Sequence, residues 1–311
     1  MLRVAHILIL VDPAADNPAL DHALRWAAAY DATVHALAVH MTEGDALPNV
    51  PPAIRPSEPV RDVVRSHSEG EYASLTVHSR CVTAATVVRG LSQYTDRHAV
   101  DLVVVPPGPD EWASSGVPPR QLAQLVDQTA CPVFLARPAS AAAAPRRPMR
   151  LLAPVDLSRH AEGMLDCTAQ VAALYSASLD VLHVMERPPY VALNTVDMLS
   201  LSDATLPERR SERRLRALLD GCQTPLGETH IHVKHGEPAS TIDAFARSRR
   251  SDLVVLPTHG TSRPSQRPMG TVASKLARRL DTSLLLIPSH AVSEVPSPPP
   301  SADSNERTSA S

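Results

Sequence analysis

Short apolar runs alternate along most of the chain with stretches in which apolar residues recur every three or four positions. His6-Ile-Leu-Ile-Leu-Val11, closed by Asp12-Pro13, has the length and composition of a buried parallel strand. After Pro18, the residues Ala19, Leu20, Ala23, Leu24, Ala27 and Ala28 make the apolar stripe of an amphipathic helix. Read the same way, the first part of the chain predicts further strands at 33–39, 75–81, 101–105 and 132–135, with helices over 59–71, 83–98 and 120–128. The proline-rich stretch Pro48 to Pro59 suits neither a helix nor a central strand and reads as a loop.

The pattern then restarts. Leu151-Leu-Ala-Pro-Val-Asp156 matches Leu8-Ile-Leu-Val-Asp12 in character, each an apolar run ending on an aspartate. Strands are predicted at 151–156, 179–184, 229–234, 252–256 and 283–288, and helices at 160–175, 207–219, 238–249 and 270–280. Between the two series, 138–148 is rich in alanine and proline and reads as a linker, while the Ser/Pro-rich stretch from 290 to 311 reads as a disordered tail. The expected organisation is a domain over 1–137, the linker, a second domain over 149–289, and the tail. Each domain is expected to be an α/β unit, an open parallel five-stranded sheet with helices on both faces, of Rossmann-like type. The apolar edges at 132–135 and 283–287 are short and closed by prolines, so the two halves are expected to dock through them as an intramolecular pseudo-dimer.

Candidate chemistry concentrates in one stretch. Asp252-Leu-Val-Val-Leu256 is followed by Pro257, by Gly260, and after nine residues by Gly270-Thr271, which opens a helix carrying Val272, Ala273, Leu276, Ala277 and Leu280. A strand, a glycine-bearing loop and a helix start present unpaired amides and the positive end of the helix dipole, an arrangement that holds phosphate. By itself the pair of glycines is a weak signal, since each also suits a strand end or a helix cap. Asp156 offers either an acceptor for a ribose or base, or a helix N-cap, and both readings stand. His230, His232 and His235 sit at alternating or adjacent positions without a Glu or Cys at ligand spacing, which favours a solvated edge strand over a metal site. His259 lacks an evident nucleophile or carboxylate partner, so no catalytic set is assigned.

Charge and cysteines narrow the classes. The formal net charge is −3 from 30 basic and 33 acidic residues, so no global field favours nucleic acid or an anionic membrane. No apolar run approaches the ~20 residues of a membrane span, and the N-terminal residues show no leader plan. A cytoplasmic protein is therefore expected. Cys81, Cys131, Cys167 and Cys222 form no C-x-x-C pair and read as reduced thiols. The arginines of 207–219 read as a solvated helix face, with an interaction patch as the minority alternative.

Pro-Val-Asp156, Lys234-His-Gly-Glu-Pro-Ala239, Asp252-Leu-Val-Val-Leu256 and His259-Gly-x9-Gly270-Thr271 together resemble the universal stress protein family, and the whole chain resembles two such domains in tandem. Nucleotide-binding members of that family carry Gly-x-x-Gly-x9-Gly-(Ser/Thr); here Pro257 stands where their first glycine is. The resemblance implies ATP as ligand, with or without Mg2+, contacted by Val155, Asp156, Val184, Leu256, Pro257, Gly260, Gly270, Thr271 and Val272. It also implies association through fifth strands, a homodimer or pseudo-dimer, and a regulatory role with a client that the sequence does not name. The loop from Pro106 to Pro119 has glycines only at 108 and 116 and no Gly-Ser or Gly-Thr entering the helix, so the first half is expected not to bind. A nucleotide-independent interaction scaffold and a weak ATP hydrolase remain as alternatives.

Overall fold

The computed structural model describes residues 3–41, 54–68, 70, 72–108, 116–137, 148–158, 160–186, 206–259 and 269–289. The linker at 138–147, the stretches 42–53, 109–115 and 187–205, loop residues 260–268 and the tail from 290 lie outside the described residues.

The first half runs β1 (His6–Leu10), α1 (Pro18–Tyr30), β2 (Thr33–Met41), β3 (Arg55–Pro56), α2 (Glu58–Ser68), β4 (Val77–Ala84), α3 (Val87–Thr95), β5 (Leu102–Val105), α4 (Pro119–Thr129) and β6 (Val133–Leu135). The second runs β7 (Arg150–Pro154), α5 (Ala161–Leu174), β8 (Ser178–Met185), α6 (Leu206–Asp220), β9 (Thr229–His235), α7 (Pro238–Arg249), β10 (Leu253–Pro257), α8 (Thr271–Arg279) and β11 (Ser283–Ile287).

The predicted α/β class holds, but the two expected five-stranded sheets are one continuous sheet of eleven strands, ordered β3-β4-β2-β1-β5-β6-β11-β10-β7-β8-β9. Each half repeats the same internal order around its first strand, and within each half the long strands pair in parallel. The halves join where β6 and β11 pair antiparallel, Leu284 opposite Leu135, Leu285 opposite Phe134 and Leu286 opposite Val133. All six residues are at most 1% exposed. Apolar strands this short bury two faces only if their free edge finds another strand, which is the reason the sheets fuse.

Helices α1, α2, α5 and α6 cover one face of the sheet, and α3, α4, α7 and α8 the other. The first of these cores crosses the seam. Trp26 Nε1 of α1 donates to the Tyr175 hydroxyl at 2.8 Å, and His22 Nδ1 lies 3.0 Å from the same oxygen. Burial holds the His22 imidazole down at about 4.

Two local corrections follow from hydrogen bonding. Arg55 and Pro56, inside the stretch read as loop, pair antiparallel with Cys81 and Arg80 as an edge strand, a place where proline's missing N–H is tolerated. The fourth strand runs on to Ala84, and α3 starts only after Thr86, whose side chain accepts from the Arg89 amide at 3.1 Å. The four cysteines are free thiols, and burial pushes that of Cys131 up to about 11.

Candidate functional site

In an open parallel sheet of this order, the strand order reverses on either side of the first strand, and the space above that point is uncovered by crossover helices. In the second half that point lies between β7 and β10, which pair through Leu151–Leu253 and Leu152–Val254. A cavity of about 510 Å3 opens there, beyond the carboxyl ends of both strands. A volume of this size suits a ligand of drug or nucleotide dimensions, for which roughly 300–1,000 Å3 is usual.

Of the residues singled out from sequence, Val155, Asp156, Val184, Leu256, Pro257, Gly270, Thr271 and Val272 all line this one cavity. Gly260 lies outside the described residues. Val155 and Leu256 continue the buried cores of β7 and β10, so their placement is fixed by packing. Met164 of α5, Ile242 of α7 and Met269 add apolar wall.

Asp156 does not cap α5. Its Oδ1 accepts from the Ser158 amide at 3.0 Å in a tight turn, while the helix begins three residues later behind His160, whose side chain makes no capping bond. The carboxylate is exposed and borders the cavity.

At the other end, Gly270 is the N-cap of α8, with φ −63°, so positive φ is not what requires glycine there. Space is: a Cβ at Gly270 would sit 3.1 Å from the Thr258 carbonyl oxygen. That close approach exists because the Gly270 amide donates to the same oxygen at 2.7 Å, tying the helix start to the end of β10. The first intrahelical bond runs from the Ser274 amide to Gly270 O, so the amides of Thr271, Val272 and Ala273 have no helical partner and form the anion-attracting end. Lys275 Nζ bonds Glu237 Oε1 at 2.8 Å, fastening α8 to the N-cap of α7. The Lys275 ammonium and the Ser240 donors hold the Glu237 carboxyl down to about 2.

The sequence reading missed His183, His160 and Glu186, which also line the cavity. His183 Nδ1–H donates to the Val155 carbonyl at 2.7 Å, clamping the ends of β7 and β8 together. A histidine interrupting the apolar alternation of 179–184 was the available signal. Pro257 ends β10 opposite Ile287, and the next residue, Thr258, donates its amide to Ile287 O at 2.9 Å.

The histidines of β9 are accounted for separately. His230 meets Glu228 at 3.1 Å, His232 meets Asp180 at 2.8 Å and His235 meets Glu208 at 2.6 Å. Among the described residues no group of three His, Cys, Asp or Glu is arranged to hold a metal ion, and no helix is long and apolar enough to cross a membrane.

Comparison with known proteins places residues 148–288 in a match to the universal stress protein family model. The chain is 32% identical over 111 residues to universal stress protein A homolog 1 of Coxiella burnetii, covering 35% of this chain and 76% of that protein. In fold it is similar to a putative universal stress protein of Pseudomonas aeruginosa UCBPP-PA14, with TM-score 0.65, 15% identity, and 93% and 95% of the two chains covered. A functionally unknown protein of Pseudomonas aeruginosa PAO1 matches with TM-score 0.64, 16% identity, and 93% and 94% covered.

Proposed function

From the premise that the chain belongs to the universal stress protein family and serves the stress response, we propose that its second half binds ATP and that the protein acts by binding and regulation rather than by catalysis. The observation that supports this reading best is the cavity at the β7/β10 switch point, bounded by the helix start at Gly270-Thr271. The free amides of the first turn suit phosphates, the apolar wall of Val155, Val184, Leu256 and Val272 suits a base, and the Asp156 carboxylate suits the hydroxyls of a ribose. On this reading the first half is a second domain of the same family without a working site, docked through β6 and β11 as a pseudo-dimer.

One feature supports a second reading, a scaffold that works without nucleotide: Pro257 brings no N–H and a fixed φ to the position where a glycine would let phosphate approach. Titration of ATP against the purified chain, with and without Mg2+, separates the two. The binding reading expects saturable heat strengthened by Mg2+; no heat in either condition leaves the scaffold.

A further inference from the structure

A layer of imidazoles lies at the amino ends of β1, β2 and β4 in the first half. His35 on β2 is 5% exposed. Its Nε2 lies 3.2 Å from His6 Nδ1 on β1, and its Nδ1 lies 2.9 Å from the Tyr94 hydroxyl on α3. The rings of His78 on β4 and of His98 after α3 lie 5.3 and 5.6 Å from it, and His98 stacks on Tyr94 at 4.1 Å. The titratable and charged side chains that act on His35 are His6, His78, His98 and Arg80, while the Asp101 carboxylate next to β1 is taken up by the Ala5 and His6 amides at 2.8 and 2.9 Å.

The second half builds the same layer from opposite chemistry. By strand register His35 pairs with His78 in the first half and Asp180 with His230 in the second. Asp180 is a buried carboxylate held by His232 at 2.8 Å and by Arg249 at 3.1 Å, with Phe245 against the His232 ring. Both residues lie on the α3/α7 face of their sheet, so one half has a compensated anion where the other has an uncompensated base.

We propose that the His35 cluster makes the first half an acid-responsive element: protonation opens the β2–β4–α3 edge at mildly acidic pH, while the second half and its cavity keep their fold. A buried imidazolium beside three other imidazoles and a guanidinium has no counter-charge, and relief comes from exposing it to water. Burial first, then the neighbouring His78, His6, His98 and Arg80, hold His35 down at about 4, from an ordinary 6.5. Stability from a group held down in the fold is present above its unfolded value and is lost as pH falls from there toward the folded one. The window is therefore about pH 6.5 to 4. For this single group the opening equilibrium rises about 20-fold between pH 7 and pH 5.

Amide hydrogen exchange on the full chain at pH 7 and pH 5, corrected for the chemical exchange rate, tests this. Peptides from β2, β4 and α3 should show an opening constant raised on that order, peptides from β8, β9 and α7 should not, and His35→Gln should abolish the rise. Equal rises in both halves, or a rise surviving His35→Gln, would overturn the proposal. If His35→Gln does not fold, NMR titration of the imidazoles in the unaltered chain decides. His35 remaining neutral down to pH 5 while folded supports the proposal, and a folded His35 titrating at its ordinary value refutes it.

Discussion

Two helices begin at equivalent places on the two halves and differ in what they offer a ligand. Helix α8 begins at Gly270 and Thr271, leaving the amides of its first turn available. Helix α4 begins at Pro118 and Pro119, which have no N–H to offer. In the first half Pro107 and Val117 form a parallel bridge, Gly108 N donates to Val117 O and Val117 N to Pro106 O, both at 3.0 Å. Gly108 and Gly116 are in backbone contact there, since a Cβ on Gly116 would lie 2.6 Å from the Gly108 nitrogen. Glycine in the first half thus serves backbone-to-backbone closure, and in the second half it seats a helix start at the rim of a cavity. A shared strand order thus leaves the two helix N-termini with different hydrogen-bonding capacity.

The largest effect is expected at the seam that holds the halves together. Leu285 is 1% exposed and faces Phe134 across it, so Leu285→Lys places an unpaired ammonium in a dry interface at a cost of about 4 kcal/mol or more. Chemical denaturation should show the lower stability, and small-angle scattering should show the halves separated; an unchanged midpoint and an unchanged profile would mean the seam does not hold them. Next is Gly270→Val, whose branched side chain meets the Thr258 carbonyl. Its ATP affinity should fall by roughly 100-fold, about 2.7 kcal/mol, with the protein still folded by circular dichroism. Retention of wild-type affinity would remove the helix start from the site.

Asp180→Asn comes third. The hydrogen bonds to the Arg249 guanidinium and the His232 ring are weakened, and stability should drop by about 2 kcal/mol at pH 7. Despite its burial, the hydrogen bonds from Arg249 and His232 hold the Asp180 carboxyl below its ordinary value of 3.8. Its contribution is therefore present above pH ~3.8 and lost as pH falls below that. The variant's deficit against the parent should vanish in acid, and urea midpoints measured from pH 7 to pH 3 check this. The smallest effect is expected for Pro257→Gly, which supplies the N–H and the freedom in φ that the proline lacks. Affinity for ATP should rise by several-fold, up to about tenfold, at a stability cost under about 1 kcal/mol. A lower affinity would show that the proline ring contributes useful wall.

The strands were legible because both faces of the sheet are covered, which makes runs such as Leu253 to Leu256 continuously apolar. The lining of the candidate cavity was legible where backbone need dictates residue type, as at Gly270-Thr271, and where the chain leaves β7 through Val155 and Asp156. What escaped depends on distance across the fold. Nothing near Arg55-Pro56 in sequence announces Cys81 and Arg80 as its partners. The clamp from His183 to Val155 joins residues 28 positions apart, and the Asp180–Arg249 contact joins residues 69 apart. The pair Pro118-Pro119 was visible, and its meaning emerged only once both residues stood at a helix start.

The asymmetry of the two halves is tested most directly by locating the nucleotide in crystals of the chain grown with ATP and Mg2+. One ATP should appear per chain, its phosphates against the amides of Thr271 to Ala273 and its base against Val155 and Val184, with no nucleotide above β1 and β5. Density at the start of α4, or equal density in both halves, would contradict the account.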